Sequence, residues 1–377
     1  MIESFRLVNY KIFADTKTIH IKPLTLLLGK NNSGKSSLLK ALSFMKEALA
    51  QGENSVMSVK PAEGVRMGET MRDMFHRREL VDLGFIVDFT DNIHYSVRLL
   101  TTNGNVRPYI YDLQIGEDSF LSRDTVPSQD LYKELAGLFP LRYKDSCEQA
   151  FRFNVRHIGP LRVIPPELIP VTTASDSLFV GYDGKATYGI LLFSFLQGTP
   201  LFRQVSKWFR ENMEGISLQF SPINPSGTAY VLNVEHDGVA VNIVDVGLGV
   251  AQLLPIITQS FIPEKDTIVA LEQPVLHLHP AAHASVAERL AEASLQTGVR
   301  FIVESHSKNF LLGLRLEAIL PDNPFSTEDA AIYYVDNEEL PANVNEIKIN
   351  PDGSLTYWPT GIFGEDADLM DKIMDQR

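Results

Sequence analysis

Gly29-Lys-Asn-Asn-Ser-Gly-Lys-Ser-Ser37 is the stretch that decides the fold. It fits G-x-x-x-x-G-K-[ST], with Gly29, Gly34, Lys35 and Ser36 at the required spacing. Glycines let consecutive backbone N–H groups close around phosphate oxygens, and a helix starting there adds the positive end of its dipole. The flanks supply that context. Leu24-Thr-Leu-Leu-Leu28 is an apolar run suited to a buried parallel strand, and Leu38, Leu39, Ala41, Leu42, Met45, Ala48 and Leu49 recur at helical spacing. Strand, glycine loop and helix in this order predict a phosphate-binding loop. Its residues are Gly29, Asn31, Asn32, Ser33, Gly34, Lys35, Ser36 and Ser37, with Lys35 reaching the β- and γ-phosphates of ATP and Ser36 ligating Mg²⁺.

Three downstream segments extend the site. Asp266-Thr-Ile-Val-Ala-Leu-Glu272 is an apolar strand ending in an acid, the Walker B arrangement, in which Glu272 holds Mg²⁺ through water and opposes Ser36. The position that follows is usually a carboxylate that polarises the attacking water. Here it is Gln273, which orients water but cannot accept a full proton. Phe301-Ile-Val-Glu-Ser-His-Ser307 is another apolar strand, with His306 at its end to hydrogen-bond the γ-phosphate. Val244-Asp-Val-Gly-Leu-Gly-Val-Ala-Gln252 opens a helix with glycines. That pattern suits phosphate contact and a structural turn equally.

The chain has 377 residues, enough for two domains or one domain with a large insertion. Its net charge of −13 provides no long-range positive field for nucleic acid. Local basic clusters remain at Arg72, Arg77 and Arg78 and at Arg152, Arg156 and Arg162. They suit solvated surface or phosphate and carboxylate partners better than a DNA track, although a local patch is all that DNA contact requires. The single cysteine, Cys147, excludes an intramolecular disulfide. No run approaches the ~20 apolar residues of a membrane span, and the opening Met-Ile-Glu-Ser-Phe-Arg-Leu lacks signal-peptide regions. These features predict a cytoplasmic protein without membrane contact.

Residues 1–28 read as a hairpin followed by the buried strand, and 81–116 read as β-rich with a turn at Asn103-Gly104. Residues 121–150 are polar and mixed, with some helix. Two helices follow in 186–215, one presenting Leu191, Leu192, Phe195 and Leu196 and the other Val205, Trp208 and Phe209. A second hairpin spans 229–246, turning at Asp237-Gly238. From 247 the pattern becomes helix–strand–helix–strand, with a helix near 281–296, which is α/β wiring. No sustained heptads predict a coiled-coil arm.

With these motifs in place, the chain resembles an ABC-type ATPase head of the recombination-repair and chromosome-maintenance branch. It is similar to stand-alone bacterial ATPases labelled AAA, many found beside phage-defence nucleases. Further matching segments are Ile158-Gly-Pro-Leu-Arg162, Glu272-Gln-Pro through His277-Leu-His-Pro280, Glu304-Ser-His-Ser307 and Tyr357-Trp-Pro-Thr-Gly-Ile-Phe-Gly364. The resemblance implies an α/β fold: a head with a mixed sheet around the P-loop, an antiparallel β lobe and a partly helical insertion. Residues 1–119 and 216–377 would be the two halves of the head and 120–215 the insertion. It also implies a homodimer or higher oligomer with two ATPs between subunits, where Gly247, Gly249 and Gln252 cap the partner's γ-phosphate. The usual signature serine is missing, no Q-loop glutamine can be placed and His76 is only a candidate for it, and Val275 stands where the group often has an acid.

His277, His279 and His283 suit a D-loop better than zinc, because acids and cysteines for a zinc site are missing nearby. Asp366 and Asp368 invite a Toprim nuclease reading, but that domain needs a strand before the pair and far more chain than remains, so none is expected. The expected function is a slowly hydrolysing ATPase that acts as sensor or switch for a separate effector, such as a nuclease, in phage defence. The rivals are a DNA-repair ATPase that clamps DNA directly and a nucleotide-locked scaffold.

Overall fold

The computed structural model describes residues 1–50, 64–78, 82–90, 93–101, 108–115, 117–121, 135–136, 139–140, 154–171, 178–358, 363, 370 and 372–374. The Asn103-Gly104 turn, most of 121–150, Cys147, Arg152, the Asp366 and Asp368 pair and most of 359–364 lie outside them.

A six-stranded sheet runs through the middle. Its strands are β1 (Leu24–Gly29), β2 (Asn154–Ile158), β3 (Thr267–Glu272), β4 (Arg300–Glu304), β5 (Ala330–Asp336) and β6 (Asn343–Ile347), in the spatial order β2-β3-β4-β1-β5-β6. The first five are parallel and β6 closes the edge antiparallel. β1 and β3 are buried at every residue. That burial explains their unbroken apolar runs, since a parallel sheet is covered on both faces. Alternation sorts the side chains within each strand: Leu27, Ile268, Ala270 and Ile302 join one core, and Leu26, Leu28, Val269, Leu271, Phe301 and Val303 join the other.

The first core lies under helix α1 (Lys35–Ala50) and an antiparallel sheet. That sheet is built from Ile2–Tyr10, Phe13–Asp15, Ile19–His20, Leu83–Phe89, Ile93–Thr101, Pro108–Ile115 and Asp118–Leu121. The second core is covered by α2 (Thr187–Gln197), α3 (Pro200–Asn212), α4 (Leu248–Ser260), α5 (Ala282–Thr297) and α6 (Lys308–Glu317). Among the described residues the longest helices have 16 residues, and none is long and apolar enough to cross a membrane.

A smaller antiparallel sheet pairs Ile169–Pro170, Ser217–Pro222, Ala229–His236 and Val239–Asn242. Its hairpin turns at Asp237 (φ 50°) and Gly238 (φ 80°), the left-handed pair that a two-residue turn needs. On α2, Leu191 and Leu192 are buried, whereas Phe195 and Leu196 keep 39% exposure each. Phe195 packs instead on the rings of Phe202, Phe220 and Tyr230. In 121–150 the described residues form a short antiparallel pair, Leu135–Ala136 with Phe139–Pro140. Within 120–215, β2 joins the central sheet beside β3, and α2 and α3 share its second apolar core.

Candidate nucleotide site

β1 delivers Gly29 to the C-terminal edge of the sheet, the edge at which open α/β sheets bind their ligands. A Cβ at Gly29 would lie 2.5 Å from the Val335 carbonyl oxygen, and one at Gly34 (φ 99°) would lie 2.7 Å from the Phe13 ring. Only glycine lets the loop curl this tightly. Lys35 is buried, and its Nζ donates to the carbonyls of Gly29 (3.0 Å) and Lys30 (2.7 Å) and to Ser33 Oγ (3.3 Å). Desolvation pushes its pKa down to about 8, against the pull of Glu304. Asn31 and Asn32 are exposed, and the Asn32 carbonyl accepts from Asn337. The Ser37 carbonyl accepts from the Tyr10 hydroxyl, which holds the first turn of α1. That turn carries no acidic residue, so its dipole end is left to an anion.

β4 lies between β1 and β3, and Glu304 pairs in register with Glu272. Both carboxylates therefore leave the sheet on the same face. The expected opposition of Glu272 and Ser36 is replaced by a different pairing. Ser36 Oγ donates to Glu304 Oε2 at 2.6 Å, while Glu272 Oε1 sits 2.7 Å from Nε2 of the buried His157. His157 Nδ1 in turn meets Ser43 Oγ of α1 at 3.1 Å. Burial and the neighbouring Glu272 raise the Glu304 pKa, and the Ser36 hydrogen bond opposes this.

Gln273 adopts φ 48°, in the left-handed region. Its backbone N–H donates to the Glu304 carbonyl (2.9 Å), and Nε2 points at Glu304 Oε1 (3.4 Å). Arg162 fixes the same turn: its guanidinium donates to the carbonyls of Glu272 (2.7 Å) and Gln273 (3.4 Å). Burial lowers the Arg162 pKa to about 10, against the attraction of Glu272. Arg162 is therefore no surface cation, contrary to its reading as part of a basic cluster, because its charge is spent on strand-end carbonyls. Gln252 is corrected in the same way. Its amide is buried and bonded at both ends to the Arg162 backbone (3.1 and 2.9 Å), so it ties α4 to this arginine rather than facing outward.

His306 is exposed, yet desolvation first and the Lys35 charge second push its pKa down to about 4, against a hydrogen bond with the Gly29 backbone. Gly247 caps α4 and Leu248 beside it is 51% exposed. Gly249 abuts the D-loop segment, where an added Cβ would meet the His277 carbonyl at 3.0 Å. His283 braces the segment after His306, bonding Ser307 Oγ (2.7 Å) and the Leu278 carbonyl (3.2 Å). His76 bonds the Lys11 carbonyl at 2.8 Å. Among the described residues no group of His, Cys, Asp and Glu forms a separate metal site.

The structure thus gathers Gly29, Ser33, Gly34, Lys35, Ser36, Glu272, Gln273 and His306 at one sheet edge. It adds Glu304, His157 and Arg162, to which sequence reasoning gave no part in the site. Glu304 had a legible signal: like Glu272, it is an acid ending an apolar strand.

This strand order, with β4 between the phosphate-loop strand and the strand that ends at Glu272, is the α/β fold of a P-loop ATPase head. The chain belongs to the family described as "AAA domain, putative AbiEii toxin, Type IV TA system", which matches residues 24–313. A second family, "Protein of unknown function (DUF3696)", matches residues 326–373. No curated protein sequence matches the chain. Among solved structures, the chain is similar to an SMC head bound to the C-winged helix domain of ScpA. That match has TM-score 0.53 and 15% identity, covering 93% of this chain and 99% of that one. It is also similar to an Smc head domain with an extended coiled coil bound to the C-terminal domain of ScpA derived from Pyrococcus furiosus. There the TM-score is 0.50 and the identity 12%, covering 99% of each chain. At these identities the likeness establishes the fold.

Proposed function

We propose that the chain binds ATP with Mg²⁺ at the Gly29–Ser37 loop and hydrolyses it slowly. The observation that carries this reading is the loop itself. Buried Lys35 is held by carbonyls in a desolvated nest, a position that a triphosphate would take over with a gain in charge neutralisation. The donors nearby are hard oxygens, Ser36 Oγ and strand-end carboxylates, which fit Mg²⁺ and not a softer metal. Ser36 and, through water, Glu272 would hold the ion. When bound, the ion supplies charge neutralisation across the phosphates. Gln273 orients the attacking water and His306, neutral at physiological pH, offers a ring nitrogen to the γ-phosphate. An amide in place of a carboxylate supports slow turnover.

ATP would join two copies head to head, with Gly247 and Gly249 at the exposed start of α4 meeting the partner's phosphates. Residues 1–119 and 216–377 supply the two halves of the head, and 120–215 is an insertion that returns β2, α2 and α3 to it. The chain acts in the cytoplasm as the sensor or switch of a defence complex whose effector is a separate protein such as a nuclease. The family description, which names a toxin and a type IV TA system, supports a defence setting. The test is calorimetry with ATP and Mg²⁺. The parent binds, and Lys35→Ala does not; equal affinity in the two would overturn the assignment of the loop.

A further inference from the structure

We propose that Glu304, and not the Walker B residue Glu272 alone, is the carboxylate that positions Ser36 at the cation site. The proposal rests on the reading of the loop as a Mg²⁺–ATP site. The geometry separates the two acids. They end neighbouring strands in register, so both reach the same face. Glu272 is engaged by the buried imidazole of His157, which is itself anchored to Ser43 on α1. Glu304 takes the hydrogen of Ser36 Oγ at 2.6 Å. A hydroxyl that donates to a carboxylate turns its lone pairs away from that carboxylate and toward a cation. Glu304 would then act from outside the ligand shell, where a carboxylate commonly orients a ligand, here Ser36, and adds charge. Gln273 is linked to the same acid from the other side, through its backbone N–H to the Glu304 carbonyl and its side-chain amide to Oε1. One residue therefore couples the cation to the water-orienting amide.

The chemistry predicts a charge effect that appears only with the metal. Glu304→Gln keeps the size and an acceptor for Ser36 but removes the negative charge. ATP affinity measured by calorimetry in EDTA should be unchanged or higher, because repulsion of the phosphates falls. The free Mg²⁺ concentration giving half-maximal ATP binding should rise about ten-fold or more, and the Mn²⁺ paramagnetic signal titrated with ATP should shift equally. In a Ser36→Ala background, Glu304→Gln should add no further shift. If Glu304→Gln does not fold, as read by its thermal transition, Glu304→Asp retracts the carboxylate from Ser36 and should give a smaller shift of the same sign. An unchanged Mg²⁺ midpoint, or an equal loss of affinity with and without metal, overturns the proposal and leaves the loop assignment standing. A parent protein that fails to bind ATP under both conditions overturns both.

Discussion

Lys35 shows how a single residue in the loop is poised by its surroundings. Its ammonium donates to two carbonyls and one hydroxyl, and burial, against the pull of Glu304, holds its pKa near 8 in the ligand-free chain. A bound triphosphate favours the charged form, so the complex keeps the proton to higher pH. Below pH 8 both states are protonated and affinity is flat. Above it the free protein loses a proton that the complex retains. ATP affinity should then fall as pH rises, by up to about ten-fold per pH unit, with uptake of a proton on binding. Calorimetry at pH 9 in buffers of different ionisation enthalpy reads this directly; affinity that is level from pH 7 to 9.5 would disprove the coupling. Gln273 makes the second residue-scale prediction. Its backbone is already fixed by Glu304 and Arg162, so Gln273→Glu changes the functional group with the turn in place. Steady-state hydrolysis should rise by about 10²-fold if proton acceptance limits the rate. No rise would show that another step is limiting.

At the scale of elements, the Ser43–His157–Glu272 chain joins α1, β2 and β3 below the site. His157 and Glu272 are both almost wholly buried, so removing one partner strands the other away from water. His157→Ala should lower stability by about 3 kcal/mol, measured as the free energy of urea unfolding, because a buried carboxylate loses its partner. A loss under ~1 kcal/mol, the size of an exposed pair, would show that Glu272 is not held this way. The chain also explains why β2, a short and weakly patterned segment in the sequence, matters to the site. It brings the imidazole that meets the Glu272 carboxylate.

At the scale of the whole molecule, the start of α4 is open to solvent. Leu248 is exposed there and Gly249 lies against His277 and Leu278 of its own chain. If ATP bridges this surface on one copy to the phosphate loop of another, ligand and dimer stabilise each other by mass action. Light scattering should show the mass doubling with saturating ATP–Mg²⁺, and Gly249→Arg should cancel that gain while leaving ATP binding by the monomer. A parent that stays monomeric with saturating ATP would contradict the shared site. A dimer equally stable without nucleotide would move the interface elsewhere.

The sequence by itself determined the local chemistry. The glycines and Lys35, the apolar strands with acids at their ends, the Asp237-Gly238 hairpin and the helical periods of α1 and α5 were all legible, because each depends on neighbours within a few residues. Tertiary structure decided the partners. Nothing within a few positions of Arg162 shows that its charge is buried against carbonyls more than 100 residues away, or that Gln252 spends its amide there. Likewise, Glu272 and Glu304 are chemically alike at the ends of similar strands. Which acid meets Ser36 follows only from the strand order, which sets β4 between β1 and β3, and from the imidazole that β2 brings to Glu272.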